Sequence, residues 1–162
     1  MKIAITGHSA GIGKALAEAY YGNEIVGLSK REGNNIRNTL KIANAIEPCD
    51  MFINNAQEGY AQTELLIEMH RRWANTDKHI VVISTMMTQQ PVSVIEGMDY
   101  YRLQKVALED AVRQLRYLTR QPGITIVRPG RVDNPELWAR TLVGLLRMAE
   151  ANGFAIPDIS LR

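Results

Sequence analysis

Residues 2–20, Lys2-Ile3-Ala4-Ile5-Thr6-Gly7-His8-Ser9-Ala10-Gly11-Ile12-Gly13-Lys14-Ala15-Leu16-Ala17-Glu18-Ala19-Tyr20, change character twice. Lys2 to Thr6 is short, apolar and β-branched, as a strand requires. Three glycines then fall between positions 7 and 13, and an Ala- and Leu-rich stretch of helical composition follows. The order strand, glycine turn, helix is what carries meaning. Glycine at 7 permits a tight turn, glycine at 11 or 13 lets backbone approach a phosphate, and free N–H groups with the helix dipole attract the anion. Gly7, Ser9, Gly11, Ile12 and Gly13 are therefore read as a phosphate cradle. His8 is read as a turn residue rather than as an acid or base.

Working outward, Glu24 to Leu28, Met51 to Asn54, His79 to Ser84 and Ile124 to Arg128 repeat the strand pattern. Gly13 to Tyr21, Thr39 to Ile46, Gln62 to Trp73, Met98 to Leu118 and Pro135 to Ala151 have helical composition. Such alternation predicts an α/β fold of parallel strands joined by crossover helices. Phe154 to Leu161 is a last strand, which Pro157 confines to a sheet edge. No linker composition or internal repeat divides the 162 residues, so residues 1–162 are expected to form a single domain. Thr85 to Gly97 is the longest irregular stretch, and open α/β sheets bind ligands beside loops at strand C-terminal ends. It is the expected active-site wall.

Charged residues make up 22% of the chain and the net charge is +2, with the basic residues dispersed, which argues against a nucleic-acid or anionic-membrane surface. No apolar run approaches the roughly 20 residues of a membrane-spanning helix, and the N-terminal apolar run is too short for a signal peptide. A soluble cytoplasmic protein is expected. The single cysteine, Cys49, has no partner for an internal disulfide and no neighbours at metal-ligand spacing, so no metal site is predicted.

Further along the chain stand Asn54-Asn55-Ala56, Tyr101-Arg102-Leu103-Gln104-Lys105 and Pro129-Gly130. Taken in order with Thr6-Gly7-xxx-Gly11-Ile12-Gly13, these motifs resemble those of the short-chain dehydrogenase/reductase family. The resemblance implies a doubly wound parallel sheet of the Rossmann type in a three-layer α/β/α arrangement, a nicotinamide dinucleotide, and a carbonyl or alcohol as substrate. Tyr101 would be the general acid in reduction and the general base in oxidation, while Lys105 would orient the nicotinamide ribose and tune the phenol. Four residues apart on a helix, the two share one face. A free tyrosine is only about 0.1% phenolate at neutral pH, and a nearby ammonium favours the anion. Tyr100 is the nearest rival, but it has Gln104 where Tyr101 has Lys105.

The family's third catalytic group is a serine just past a strand. Aligning Ile80-Val81-Val82-Ile83-Ser84-Thr85 on that strand leaves Thr85 and Ser84 as alternatives, with Thr85 preferred because its register matches. Asn54, Asn55 and Ala56 resemble the motif beside the adenosine ribose, with Gln57 where glycine is usual. Pro129, Gly130 and Val132 resemble the segment lining the nicotinamide, with Asn134 where threonine is common.

At the end of the second strand, a cofactor without a 2′-phosphate would usually meet a carboxylate, and none precedes Glu32. Ser29, Lys30 and Arg31 suit a 2′-phosphate instead, so NADP(H) is the preferred cofactor and NAD(H) the alternative. The chain departs from the family in being short. The helix Gln62–Trp73 lacks the asparagine that supports a proton-relay water in many relatives, and no long insertion follows Val132. An open substrate site keeps a second reading in play, a non-catalytic dinucleotide-binding module acting as redox sensor or structural subunit. A sugar-nucleotide-modifying relative is a weaker third, since no substrate domain is present. Relatives commonly associate through the helices corresponding to Gln62–Trp73 and Met98–Leu118, so a homodimer or homotetramer is expected.

Overall fold

The computed structural model describes residues 1–92 and 95–161. Six strands, β1 (Lys2–Thr6), β2 (Glu24–Leu28), β3 (Met51–Asn54), β4 (His79–Ile83), β5 (Gly123–Pro129) and β6 (Asp158–Leu161), form one sheet. All pairings are parallel, in the order β2-β1-β3-β4-β5-β6. Five helices alternate with them: α1 (Gly11–Ala19), α2 (Thr39–Ile46), α3 (Ala61–Arg72), α4 (Asp99–Leu118) and α5 (Pro135–Ala151). β6 begins directly after Pro157 and lies at the sheet edge, where a residue without an N–H is tolerated.

Alternation along each strand sorts the core into two faces. Ala4, Phe52, Ile80, Val82 and Ile126 pack under Ile42 of α2, Leu65 and Met69 of α3, and Leu108 and Val112 of α4. Ile3, Ile5, Ile53, Val81, Ile83 and Val127 pack under Leu16 of α1 and Trp138, Leu142 and Leu146 of α5. The sheet is thus covered by helices on both sides, the doubly wound arrangement expected.

The chain moves from β1 outward to β2 and then returns past β1 to β3, so the winding direction reverses between β1 and β3. Loops leaving those two strands part in opposite directions and open a crevice at the C-terminal ends of the strands. The glycine turn, Asn54-Asn55-Ala56 and Thr85 all follow strand ends on this side. α1 begins at Gly11, two residues before the periodicity indicates, because the end of the glycine turn already forms its first turn. Ser93 and Val94, in the irregular stretch expected to wall the site, lie outside the described residues.

Candidate active site

The glycine turn is closed by interlocking backbone and side chains. Gly7 has φ +72° and Gly11 φ +52°, both in the left-handed region that suits glycine. A Cβ on Gly13 would lie 2.2 Å from the Gly7 carbonyl oxygen and 2.7 Å from Asn55 Nδ2, whereas one on Gly11 would meet nothing within 4 Å. Gly13 therefore keeps the turn tight, and Gly11 leaves its outer side open. Asn55 donates through Nδ2 to the Thr6 carbonyl at 2.9 Å, and the Thr6 hydroxyl accepts from the amides of Asn55 and Ala56 at 3.0 and 3.1 Å. These bonds tie the end of β3 to the end of β1.

The N-cap of α1 is Ala10, which has no side-chain acceptor, and the first helical turn contains no acidic residue. Such a cap is disfavoured by about 1 kcal/mol relative to Ser or Asp and leaves the first N–H groups free. An anion seated there would satisfy them, and no carboxylate competes for the place. Beside the turn lies a cleft of about 530 Å³ lined by Gly7, Ser9, Ser29, Arg31, Asn55 and Ala56, among others. Open glycine, free amides and cleft together fit the pyrophosphate and adenosine half of a dinucleotide.

Just past β2 the groups expected to hold a 2′-phosphate are divided. The Ser29 hydroxyl donates to Glu32 Oε2 at 2.9 Å, and Lys30 Nζ pairs with Glu58 Oε2 at 3.2 Å. A 3-10 turn over Lys30–Glu32 folds Glu32 back onto the strand end, where the same carboxylate oxygen lies 3.6 Å from His8 Nε2. The His8 ring occupies the space left by Gly27, where a Cβ would come within 2.4 Å of it. Arg31 is exposed and has no ionic partner among the described residues.

On α4, Tyr101 and Lys105 stand on one face, with Lys105 Nζ 5.6 Å from the centre of the Tyr101 ring. Burial raises the Tyr101 pKa, and a hydrogen bond with the Thr85 side chain acts in the opposite direction. Lys105 is 3% exposed, and burial pushes its pKa down to about 7, with Glu109 pulling it back up. Its ammonium donates to Gln62 Oε1 and to the Ile83 carbonyl, each at 2.8 Å. The expected lowering of the tyrosine pKa by lysine is therefore not found in the protein alone. Burial dominates at Tyr101, and the lysine is held by Gln62 and Ile83.

Ser84 and Thr85 separate as strand alternation requires. Ser84 keeps the parity of Ile80 and Val82, points beneath α4, and donates to Glu109 Oε1 at 2.5 Å. It is 3% exposed. Thr85 lies near enough to the phenol to lower its pKa and caps the Met86–Gln89 3-10 turn by accepting from the Met87 amide. The structure brings together Tyr101, Lys105 and Thr85, and directs Ser84 away from them.

No protein-family model matches the sequence, and no curated protein matches it. Solved structures do. A short-chain dehydrogenase/reductase from Vibrio parahaemolyticus superposes with a TM-score of 0.81 at 18% identity, over 98% of each chain. An alcohol dehydrogenase from Thermococcus sibiricus, solved with 5-hydroxy-NADP, gives 0.73 at 16% identity, over 99% of this chain and 95% of the other. A metagenomic short-chain oxidoreductase in complex with NADP gives 0.71 at 19% identity, over 100% and 96%. The chain has the short-chain dehydrogenase/reductase fold.

Within this short-chain fold, Asn54 is completely buried and donates through Nδ2 to the Gln62 carbonyl at 2.9 Å. Asn55, Ala56 and Gln57 line the cleft, and Gln57 donates to Gln104 of α4. Pro129 and Gly130 close β5, where the Gly130 amide donates to the Leu161 carbonyl. Val132 packs against the α1 and α5 side of the core. Sequence reasoning missed Gln62, a buried polar residue bonded directly to Lys105. Its signal was a long amide on the same helix face as Leu65, Leu66, Met69 and Trp73, where an apolar side chain is the rule. Among the described residues no group of three or more His, Cys, Asp or Glu gathers to hold a metal ion.

Proposed function

We propose that this chain is an oxidoreductase that moves hydride between a nicotinamide dinucleotide and a carbonyl or alcohol. The observation that carries this reading is the convergence of Tyr101, Lys105 and Thr85 at the strand ends beside an open glycine turn. Gly7 to Gly13, with Ser9 and Ile12, hold the pyrophosphate; Asn54, Asn55 and Ala56 flank the adenosine side; Pro129, Gly130 and Val132 line the nicotinamide side. When bound, the cofactor supplies or accepts the hydride.

Tyr101 is raised in pKa, so it stands protonated at neutral pH and acts as the acid in carbonyl reduction. Its O–H gives a proton to the substrate oxygen as that oxygen gains charge, and takes it back in alcohol oxidation. Thr85, whose side chain acts on the phenol, offers its hydroxyl to the same oxygen. Lys105 holds the ribose with the N–H not used by Gln62 and Ile83, and its charge stabilises the phenolate that remains after proton transfer.

NADP(H) is the preferred cofactor in this reading, with Arg31 as the group available to the 2′-phosphate and Ser29 and Lys30 joining once Glu32 and Glu58 give way. NAD(H) is the alternative, favoured by the carboxylate of Glu32 at the strand end. The protein acts in the cytoplasm on a small carbonyl or alcohol. No helix among the described residues is long and apolar enough to cross a membrane. The short path from Pro129 to Pro135, which leaves little wall around a substrate, favours the second reading of a dinucleotide-binding module without catalysis.

Tyr101→Phe tests the enzyme reading. Turnover of a carbonyl panel, followed by reduced-nicotinamide absorbance, is expected to fall by a factor on the order of a thousand or more, with cofactor Kd nearly unchanged. Undiminished turnover removes Tyr101 as the acid. In the same titrations, Arg31→Ala weakens NADP(H) and leaves NAD(H) untouched. Equal loss for both rules out a 2′-phosphate contact.

A further inference from the structure

Gln62 is 2% exposed at the start of α3, and every polar atom of its side-chain amide is bonded. Nε2 donates to the Asn54 carbonyl at 2.7 Å and to the Ile83 carbonyl at 3.1 Å. Both partners can only accept, so the orientation of the amide is dictated: its nitrogen faces the strand ends and its oxygen faces Lys105. A flipped amide would set two carbonyl oxygens against Oε1 and leave an N–H pointing at an ammonium. The Gln62 main-chain carbonyl is fixed as well, by Asn54 Nδ2. Asn54 and Ile83 end the adjacent strands β3 and β4, so the acceptor offered to Lys105 is braced by the central sheet.

We propose that Gln62 is the positioning residue of Lys105, a fixed neutral acceptor that sets where the ammonium sits and how readily it keeps its proton. Two N–H groups are assigned, one to Gln62 Oε1 and one to the Ile83 carbonyl, which leaves the third for a ligand hydroxyl on the Tyr101 side. The charged and titratable groups around Lys105 are few. Glu109 lies one turn along α4 and is itself held by Arg128 of β5, and Tyr101 lies one turn back. Among the described residues α3 contributes the neutral amide of Gln62, and β4 contributes the Ile83 carbonyl. A neutral acceptor stabilises the ammonium less than a carboxylate would, so the lysine stays close to its titration point, consistent with its depressed pKa. The catalytic meaning of this arrangement rests on the oxidoreductase reading, but the arrangement itself does not.

The test follows the lysine directly. In protein labelled with 13C at lysine Cε, the Lys105 resonance is identified by its loss in Lys105→Met and titrated in wild type, Gln62→Glu and Gln62→Leu. The midpoint is expected to move up by about one pH unit or more in Gln62→Glu, where a carboxylate replaces the amide oxygen, and down in Gln62→Leu, where the acceptor is lost. The pH dependence of turnover should move with it. Gln62→Glu matches the amide in size but sets its second oxygen against the Asn54 and Ile83 carbonyls, so Gln62→Met, a neutral side chain of similar length without the acceptor, is titrated beside it and is expected to move the midpoint down. An unmoved midpoint in the folded Gln62 variants overturns the proposal. A moved midpoint in a protein that turns over no carbonyl supports the positioning role and counts against the oxidoreductase reading.

Discussion

Lys105 is buried beneath the strand ends, and its titration couples the stability of the fold to pH. Its folded pKa of about 7 lies below the ordinary lysine value of 10.5, because burial penalises the charged form more than Glu109 supports it. Between those values the unfolded chain holds a proton that the folded chain has lost, so stability rises with pH across that window. Below pH 7 the lysine is charged in both states and the folded state bears the full burial cost. Wild type should therefore gain stability relative to Lys105→Met between pH 7 and pH 9, read as urea unfolding midpoints. Parallel pH dependence in the two proteins contradicts the depressed pKa. The same burial at Tyr101 keeps the phenol protonated, which suits an acid waiting for a carbonyl oxygen.

Among the elements, α4 is joined to the sheet by a buried polar cluster. Glu109 accepts from Ser84 and Thr88 and pairs with Arg128 of β5 at 2.7 Å, and Arg128 reaches on to Asp158 of β6 at 3.0 Å. Glu109 is 2% exposed and Arg128 9%. Removing one member of a buried pair leaves the other uncompensated, at a cost of about 3 kcal/mol. Glu109→Leu is expected to lose about that much in urea unfolding; a change under about 0.5 kcal/mol would show that Asp158 alone neutralises Arg128. Contacts of this kind were not legible in the sequence. Glu109 and Arg128 lie on different elements, and only the sheet order and strand parity bring them together. The strands and helices were legible because both faces of the sheet are buried, which makes β3 and β4 short apolar runs and gives α4 its apolar stripe. Alternation continuing past β4 separates Ser84, bonded to Glu109, from Thr85 on the Tyr101 side, and that the two hydroxyls would part was visible in the sequence. Gln62 carried a signal of burial in its place on the apolar face of α3, but its partners Asn54, Ile83 and Lys105 come from other elements and were not legible.

For the whole molecule, apolar residues remain exposed on the outer side of α3 and α4. Ile67 is 48% exposed, Leu103 49%, Tyr100 79% and Tyr117 90%. On α4, Tyr100, Leu103 and Tyr117 lie on the side facing away from the core, interspersed with the exposed polar Asp110 and Gln114. Burying that side against a second copy would remove this surface from water, and a homodimer or homotetramer is the expected state. Sedimentation equilibrium should give at least twice the chain mass of 18.2 kDa, and a concentration-independent monomer mass contradicts it. The turn from Thr6 to Gly13 is the place proposed for the pyrophosphate of a dinucleotide. Isothermal calorimetry with NADP and NAD on wild type and Gly13→Ala tests that assignment most directly, since the added Cβ would strike the Gly7 carbonyl while Tyr101 and Lys105 stay intact. Wild type should bind at least one dinucleotide saturably, and folded Gly13→Ala should not. Absence of binding of either dinucleotide to wild type at millimolar concentration, or equal affinity in the variant, would contradict the assignment.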